Sequence, residues 1–221
     1  GSKDQTLAVL RKVCQKNPQQ FHYLAFSRNF GKEAALYAGL QRVKGDLVTV
    51  MDADLQDPPE LLPEMLALMQ AKKLDCVGTR RKNRVGEPLI RSLFAQLFYR
   101  LMNRFSETQM VDGARDFRLM SRKMVDAVLE ITEYNRFSKG IFSWVGFETE
   151  YISFENRERQ VGETSWSFLK LLDYSINGII NFSDAPLNIA SLIGALSCIF
   201  SGIALIFIIV RAMLYGDPTS G

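Results

Sequence analysis

From Leu187 to Val210 the chain carries no charged residue. Wound as a helix at about 1.5 Å per residue, such a run outreaches the ~30 Å hydrocarbon core of a bilayer. Ser, Asn and Gly inside it are tolerated in membrane helices. A buried helix of a soluble domain this long and this free of charge is uncommon. Its place near the carboxyl end excludes a secretory signal peptide. Arg211 follows, and the polar stretch Tyr215–Gly221 reads as a loop awaiting another helix. The residues before the run are enough for one substantial core.

That core announces its own site. Leu47-Val48-Thr49-Val50 is apolar and β-branched and reads as a buried strand. It stops at Met51-Asp52-Ala53-Asp54-Leu55-Gln56-Asp57, and Pro58-Pro59 ends the element. Ligands of open α/β sheets bind just outside the carboxyl ends of the strands. Asp52 and Asp54, with Gln56 beside them, offer the hard oxygen ligands that Mg²⁺ or Mn²⁺ takes when it also holds a diphosphate. The alternative is a solvated turn.

Around this strand, helical and extended segments alternate. An amphipathic helix is expected from Asp4 to Lys16 and a strand over Phe21–Phe26. The loop Ser27-Arg28-Asn29-Phe30-Gly31-Lys32 leads into a helix from about Glu33 to Val43. A further helix spans Pro59 to Lys72, a strand Asp75–Thr79 ends at Arg80-Arg81-Lys82, and a later strand covers Glu150–Phe154. The alternation predicts an α/β, Rossmann-like fold: a mainly parallel sheet with flanking helices and right-handed crossovers. Apolar residues at helical spacing from Pro88 to Phe105, punctuated by Arg91, Arg100 and Arg104, suit either a membrane interface or packing on the sheet. Ser165 to Phe182 is similar.

Net charge is +3, but Arg80–Lys123 holds eleven Lys/Arg against four Asp/Glu. Such a segment suits phosphate-bearing ligands or an anionic membrane face; a merely solvated basic face is the alternative. No nucleic-acid-binding signature accompanies it. Cys14, Cys76 and Cys198 lack metal or redox spacing, which points to a reducing compartment. His22, the only histidine, is expected as a packed core side chain.

Three pieces in this order, Ser27–Lys32, Met51–Pro59 and Asp116-Phe117-Arg118-Leu119-Met120, precede Arg157-Glu158-Arg159-Gln160-Val161-Gly162-Glu163-Thr164-Ser165-Trp166 and then the membrane run. Together they resemble the family 2 glycosyltransferases of GT-A fold that glycosylate polyprenyl phosphates. The bactoprenol glucosyltransferases are the nearest branch, and the dolichyl-phosphate mannose synthases are cousins. The resemblance implies inverting, metal-dependent transfer of a hexose to undecaprenyl or another polyprenyl phosphate. The donor is a nucleotide sugar, UDP-glucose by default and GDP-mannose as the alternative. It implies that Ser27, Arg28, Asn29, Gly31, Lys32, Asp52 and Asp54 hold the donor, and that Asp52, Asp54 and Gln56 hold Mg²⁺ or Mn²⁺. Arg80, Arg91, Arg118, Arg157 and Arg159 would gather the acceptor phosphate, and Asp116, with Asp112 as rival, would be the catalytic carboxylate. Relatives have Ser-Lys where Thr164-Ser165 precede Trp166 here, so the acceptor site lacks one cation.

The resemblance also implies a division into a catalytic domain (1–164), a juxtamembrane amphipathic helix (165–185), a transmembrane helix (186–211) and the start of a loop (212–221). Nucleotide-contacting strands before Gly1 and a second membrane helix after Gly221 are expected to belong to the same protein. The membrane would be the bacterial inner membrane, with the catalytic domain cytoplasmic, no nucleic-acid partner, and a homo-oligomer open, as related membrane enzymes can be tetrameric. Two other readings compete. A haloacid-dehalogenase-like phosphatase also places Asp-x-Asp after a strand but wants Thr or Val where Gln56 stands. A membrane-anchored relative that only holds ligand is the non-enzymatic reading.

Overall fold

The computed structural model describes residues 1–54, 56–82, 100, 103, 111, 113–155 and 176–216 of the 221-residue chain. Along the chain come α1 (Thr6–Lys16), α2 (Lys32–Leu40), β1 (Leu47–Val50), and a 3-10 turn (Pro59–Leu61) that runs into α3 (Leu62–Lys72). Then follow β2 (Cys76–Arg81), β3 (Ala114–Ser121), α4 (Arg122–Glu130), α5 (Ser138–Trp144), β4 (Thr149–Phe154) and α6 (Ala185–Tyr215). Residues 176–182 are also helical.

Local chemistry sets several boundaries. α3 has Pro in its first turn, where a missing N–H does no harm, and it ends at Lys73 in the left-handed conformation. Ser121 closes β3 and caps α4, its hydroxyl oxygen accepting from the Met124 N–H at 3.3 Å while it donates to Asp75 Oδ1 at 2.9 Å.

The strands form one sheet in the order β1-β3-β2-β4. β3 lies antiparallel between β1 and β2, and β4 pairs parallel to β2. The sheet is therefore mixed: β1, β2 and β4 run one way, as the alternation predicts, and β3 runs against them. Side chains on β3 serve both faces. Phe117 and Leu119 join Met65, Met69, Leu74 and Val77 under α3. Met120 points the other way and joins Leu40, Val48, Cys76, Met124, Val125, Val128, Ile141 and Phe142 beneath α2, α4 and α5. A strand buried on both faces does not show the clean alternation of a half-exposed one, so β3 is hard to see in the sequence.

Two expectations are corrected. Phe21–Phe26 is not a strand: a strand exists only against a neighbour, and among the described residues none pairs with it. Its Phe21, Tyr23 and Leu24 are exposed, and so is His22, which is not a core side chain. The helix expected over Pro88–Phe105 lies outside the described residues apart from Arg100 and Asn103, and the juxtamembrane helix is described only from residue 176. α6 spans 31 residues, its most apolar 18-residue window has a mean hydropathy of 2.7 and none of that window is buried, and by length and composition it can cross a membrane.

Candidate functional site

Because β1 and β3 are antiparallel, the carboxyl end of β1 meets the amino end of β3. Their last pair is Val50 with Arg118; two residues further on each side come Asp52 and Asp116. Lys32, the first residue of α2, bridges them: its Nζ donates to Asp52 Oδ2 at 2.8 Å and to Asp116 Oδ2 at 2.6 Å. Three segments far apart in sequence thus meet on one ammonium group at the carboxyl edge of the sheet.

Two local devices aim these groups. The pairing of β3 with β2 shifts register between Gly78 and Arg80, so Ala114 rather than Asp116 stands opposite Arg80. Irregularities of this kind re-aim side chains beside functional sites. Thr79 satisfies the disturbed backbone, its buried hydroxyl donating to the Phe117 carbonyl at 3.0 Å. On the other side, Asn29 Oδ1 accepts from the Gly31 N–H at 2.8 Å, and Gly31 adopts φ 90°, which favours glycine; the chain then turns into α2 with Lys32 at its head. Ser27, Arg28 and Asn29 are themselves exposed, and Arg28 stacks over Phe30 at 4.3 Å.

The electrostatics follow from this geometry. Burial by itself would raise the Asp116 pKa, but the charges of Lys139, Lys32 and Arg118 and the hydrogen bond from Lys32 outweigh it and hold the carboxyl well below the usual range. Burial likewise works to lower the Lys32 pKa, and Asp116 and Asp52 together overcome it and leave it raised. Asp57, at 1% exposure, accepts from Arg115 Nε at 2.9 Å through Oδ1, while Oδ2 has no hydrogen-bond partner. Burial pushes its pKa up against the pull of Arg115, and the charges of Asp52 and Asp54 add to the rise.

The remaining sequence candidates divide. Asp54 Oδ1 accepts from the Gln56 N–H at 3.2 Å, which folds the turn after β1 on itself. Arg80 is exposed at the carboxyl end of β2, its Nε donating to Ser153 Oγ at 2.8 Å. Arg118 is not presented at the edge: at 3% exposure its guanidinium lies 3.8 Å over the Phe142 ring and bonds the carbonyls of Arg115 and Asp116. Burial under an aromatic ring is where a strand residue on that face of β3 must point. Arg91, Asp112, Arg157 and Arg159 lie outside the described residues. Lys139 of α5, bonded to the Ala114 carbonyl at 3.3 Å and acting on Asp116, was missed, because Phe137-Ser138-Lys139-Gly140 carries no motif.

Asp52, Asp54 and Gln56 carry side-chain oxygens of the kind Mg²⁺ or Mn²⁺ accepts. Behind them the buried Asp57 Oδ2 has no hydrogen-bond partner and feels the charges of Asp52 and Asp54. Among the described residues no three His, Cys, Asp or Glu side chains are gathered for metal ligation.

The sequence pattern of "Glycosyl transferase family 2" matches residues 1–129. The chain is 38% identical, over all of its length, to the Bacillus subtilis protein whose name reads "Putative glycosyltransferase CsbB", and covers 66% of it. It is 36% identical over all of its length to the bactoprenol glucosyl transferase of Shigella phage SfV, of which it covers 71%. It thus spans about two thirds of the length of the curated relatives it matches. A glucosyl-3-phosphoglycerate synthase from Mycobacterium tuberculosis superposes with a TM-score of 0.44 at 19% identity, over 79% of this chain and 62% of that one. The chain belongs to glycosyl transferase family 2.

Proposed function

We propose that the protein transfers a glucosyl group from UDP-glucose to a polyprenyl phosphate, with inversion, at the cytoplasmic face of a bacterial inner membrane. One observation carries this reading: Asp52 after β1 and Asp116 of β3 converge on Lys32 at the sheet's carboxyl edge, in a chain similar from end to end to bactoprenol glucosyl transferases. α6 supplies the membrane placement that a polyprenyl acceptor requires.

Asp52, Asp54 and Gln56 would hold Mg²⁺ or Mn²⁺, which when bound offers Lewis-acid stabilisation of charge on a departing diphosphate. Lys32 stands where it can add a fixed cation to the same charge. Asp116 stays ionised throughout the physiological range, so it is a weak proton acceptor. A phosphomonoester acceptor has its second pKa near 6 and needs little help to ionise. Asp116 therefore positions Lys32 and Lys139 rather than shuttling a proton. Arg80 and Lys139 take the acceptor phosphate among the described residues, and Arg118 supports them from behind by fixing the Asp116 backbone.

Full-length protein given labelled UDP-glucose, undecaprenyl phosphate and Mn²⁺ is expected to yield a lipid-linked sugar. Free phosphate, or transfer only from GDP-mannose, would replace this reading with another.

A further inference from the structure

Lys32 of α2 and Lys139 of α5 both act on Asp116, and the residues next to them in sequence are bonded to each other. Glu33, beside Lys32, accepts through Oε2 from the Ser138 N–H at 3.1 Å and from the Ser138 hydroxyl. Ser138, beside Lys139, is the first residue of α5 and is 4% exposed. Successive side chains of a helix diverge by about 100°, so each helix can send one residue to the acid and its neighbour to the other helix.

This clasp answers a need of the backbone. Phe137, which precedes α5, has no side-chain acceptor, and Glu33 takes the N–H that a capping residue would otherwise satisfy. One turn further along α2, Tyr37 holds the same segment again. The Arg136 guanidinium lies 4.3 Å over its ring and bonds the carbonyls of Ile131 and Val128, while the Tyr37 hydroxyl donates to the Leu129 carbonyl at 3.4 Å. The Glu33 charge also favours the Arg136 cation. The start of α5 is thus tied to α2, and from it Lys139 Nζ reaches the Ala114 carbonyl, two residues before Asp116.

We infer that Glu33 is a positioning residue for the transfer: through Ser138 it sets the spacing of Lys32 and Lys139, the two ammonium groups that neighbour Asp116. The inference rests on the proposed function, in which Lys32 serves the departing diphosphate and Lys139 the acceptor phosphate. Misplacing reacting groups by about 1 Å costs on the order of 10²-fold in rate. Lys32 stays bonded to Asp52 and Asp116 when the clasp is lost, so donor binding is spared while turnover is not.

The test is the steady-state kinetics of full-length Glu33→Ala, Glu33→Gln and Ser138→Ala with labelled UDP-glucose, undecaprenyl phosphate and Mn²⁺, well below each melting temperature. Glu33→Ala is expected to lower kcat by about 10-fold or more and to leave the KM for UDP-glucose within about 2-fold of wild type. Glu33→Gln keeps an oxygen that accepts from Ser138 and is expected to recover most of the loss. Ser138→Ala loses the hydroxyl bond, keeps the N–H, and falls between the two. Wild-type kcat in Glu33→Ala, a KM that rises in step with the loss, or Glu33→Gln as slow as Glu33→Ala each overturns the inference. Where Glu33→Ala does not fold, Ser138→Ala carries the comparison, with wild-type kcat as the overturning result.

Hydrogen exchange in the same proteins keeps two failures apart. Faster exchange over Ser138–Trp144 in Glu33→Ala, or in Ser138→Ala where that protein is the one that folds, with β1 to β4 unchanged, shows the clasp itself. Unchanged exchange there overturns the inference whatever the activity. A wild type that forms no lipid-linked glucose, with exchange altered as expected, overturns the proposed function and the role of Glu33 in transfer together, while the contact stands.

Discussion

Lys32 is the residue on which the site turns, since among the described residues it alone bridges both acids that the sequence placed far apart. Its partner Asp116 titrates in the folded protein well below the ~3.9 of an unfolded aspartate. A depressed carboxyl pKa contributes stability that is fully present above the unfolded value and is lost as pH falls toward the folded one. Asp116→Asn should accordingly lower the melting temperature at pH 7, where Lys32 and Lys139 lose their counter-charge, and flatten the fall in melting temperature between pH 5 and 3. Melts that keep the wild-type acid limb would show that the pairing is absent in solution. Asp54→Ala belongs to the same scale. Losing one stabiliser of developing charge is expected to lower transfer by about 10²-fold or more, with Mn²⁺ binding lost by calorimetry, whereas Asp116→Asn keeps Mn²⁺ and nucleotide binding. Wild-type turnover in Asp54→Ala would end the metal assignment.

Among the elements, β3 organises the rest. It pairs with two strands that run against it, fills both halves of the core, and carries Arg115, Asp116 and Arg118. Arg115 is its link to the turn after β1, through the ion pair with buried Asp57. Removing one partner of a buried pair leaves the other charge uncompensated. With Arg115 still 17% exposed, Arg115→Ala is expected near the lower end of that range, about 3 kcal/mol, in denaturant unfolding. A loss under about 1 kcal/mol would mean that water reaches Asp57 in place of the guanidinium. Asp57 lay within a motif legible in the sequence, yet nothing in its spacing said that it would be buried; only the packing of the turn against β3 puts it there.

At the scale of the molecule, the question is how the sheet domain is joined to α6. The joint is the packing of residues 176–182 on α5, and it is tight at Gly140, where an added Cβ meets Phe182 at 2.5 Å and Phe137 at 2.8 Å. Both contacts are ring atoms of packed side chains, and overpacking of this kind costs about 1–3 kcal/mol. Gly140→Ala should loosen the joint before the sheet. Hydrogen exchange is expected to speed up in residues 176–182 while β1 to β4 keep their protection. Equal exchange in both regions would place the strain elsewhere.

The sequence alone determined the elements whose signal is local. α6 followed from an unbroken apolar run, β1 from β-branched residues ending at a carboxylate pair, and α1 and α3 from helical periodicity with their Pro and Lys boundaries. The motifs in their order were enough to indicate the family, and the match over residues 1–129 agrees. Tertiary structure decided what depends on pairing. A strand needs a neighbour, so Phe21–Phe26 remained irregular and exposed although its composition suits a strand, and β3 formed although three charged residues interrupt its pattern. The same holds for the site. Asp52 and Asp116 meet because β1 and β3 are antiparallel, Lys139 joins them because α5 packs across that edge, and Arg118 leaves them because its face of the strand is core. Sequence spacing carries no information about direction of pairing or face of burial, since both are fixed only when distant segments close their hydrogen bonds together.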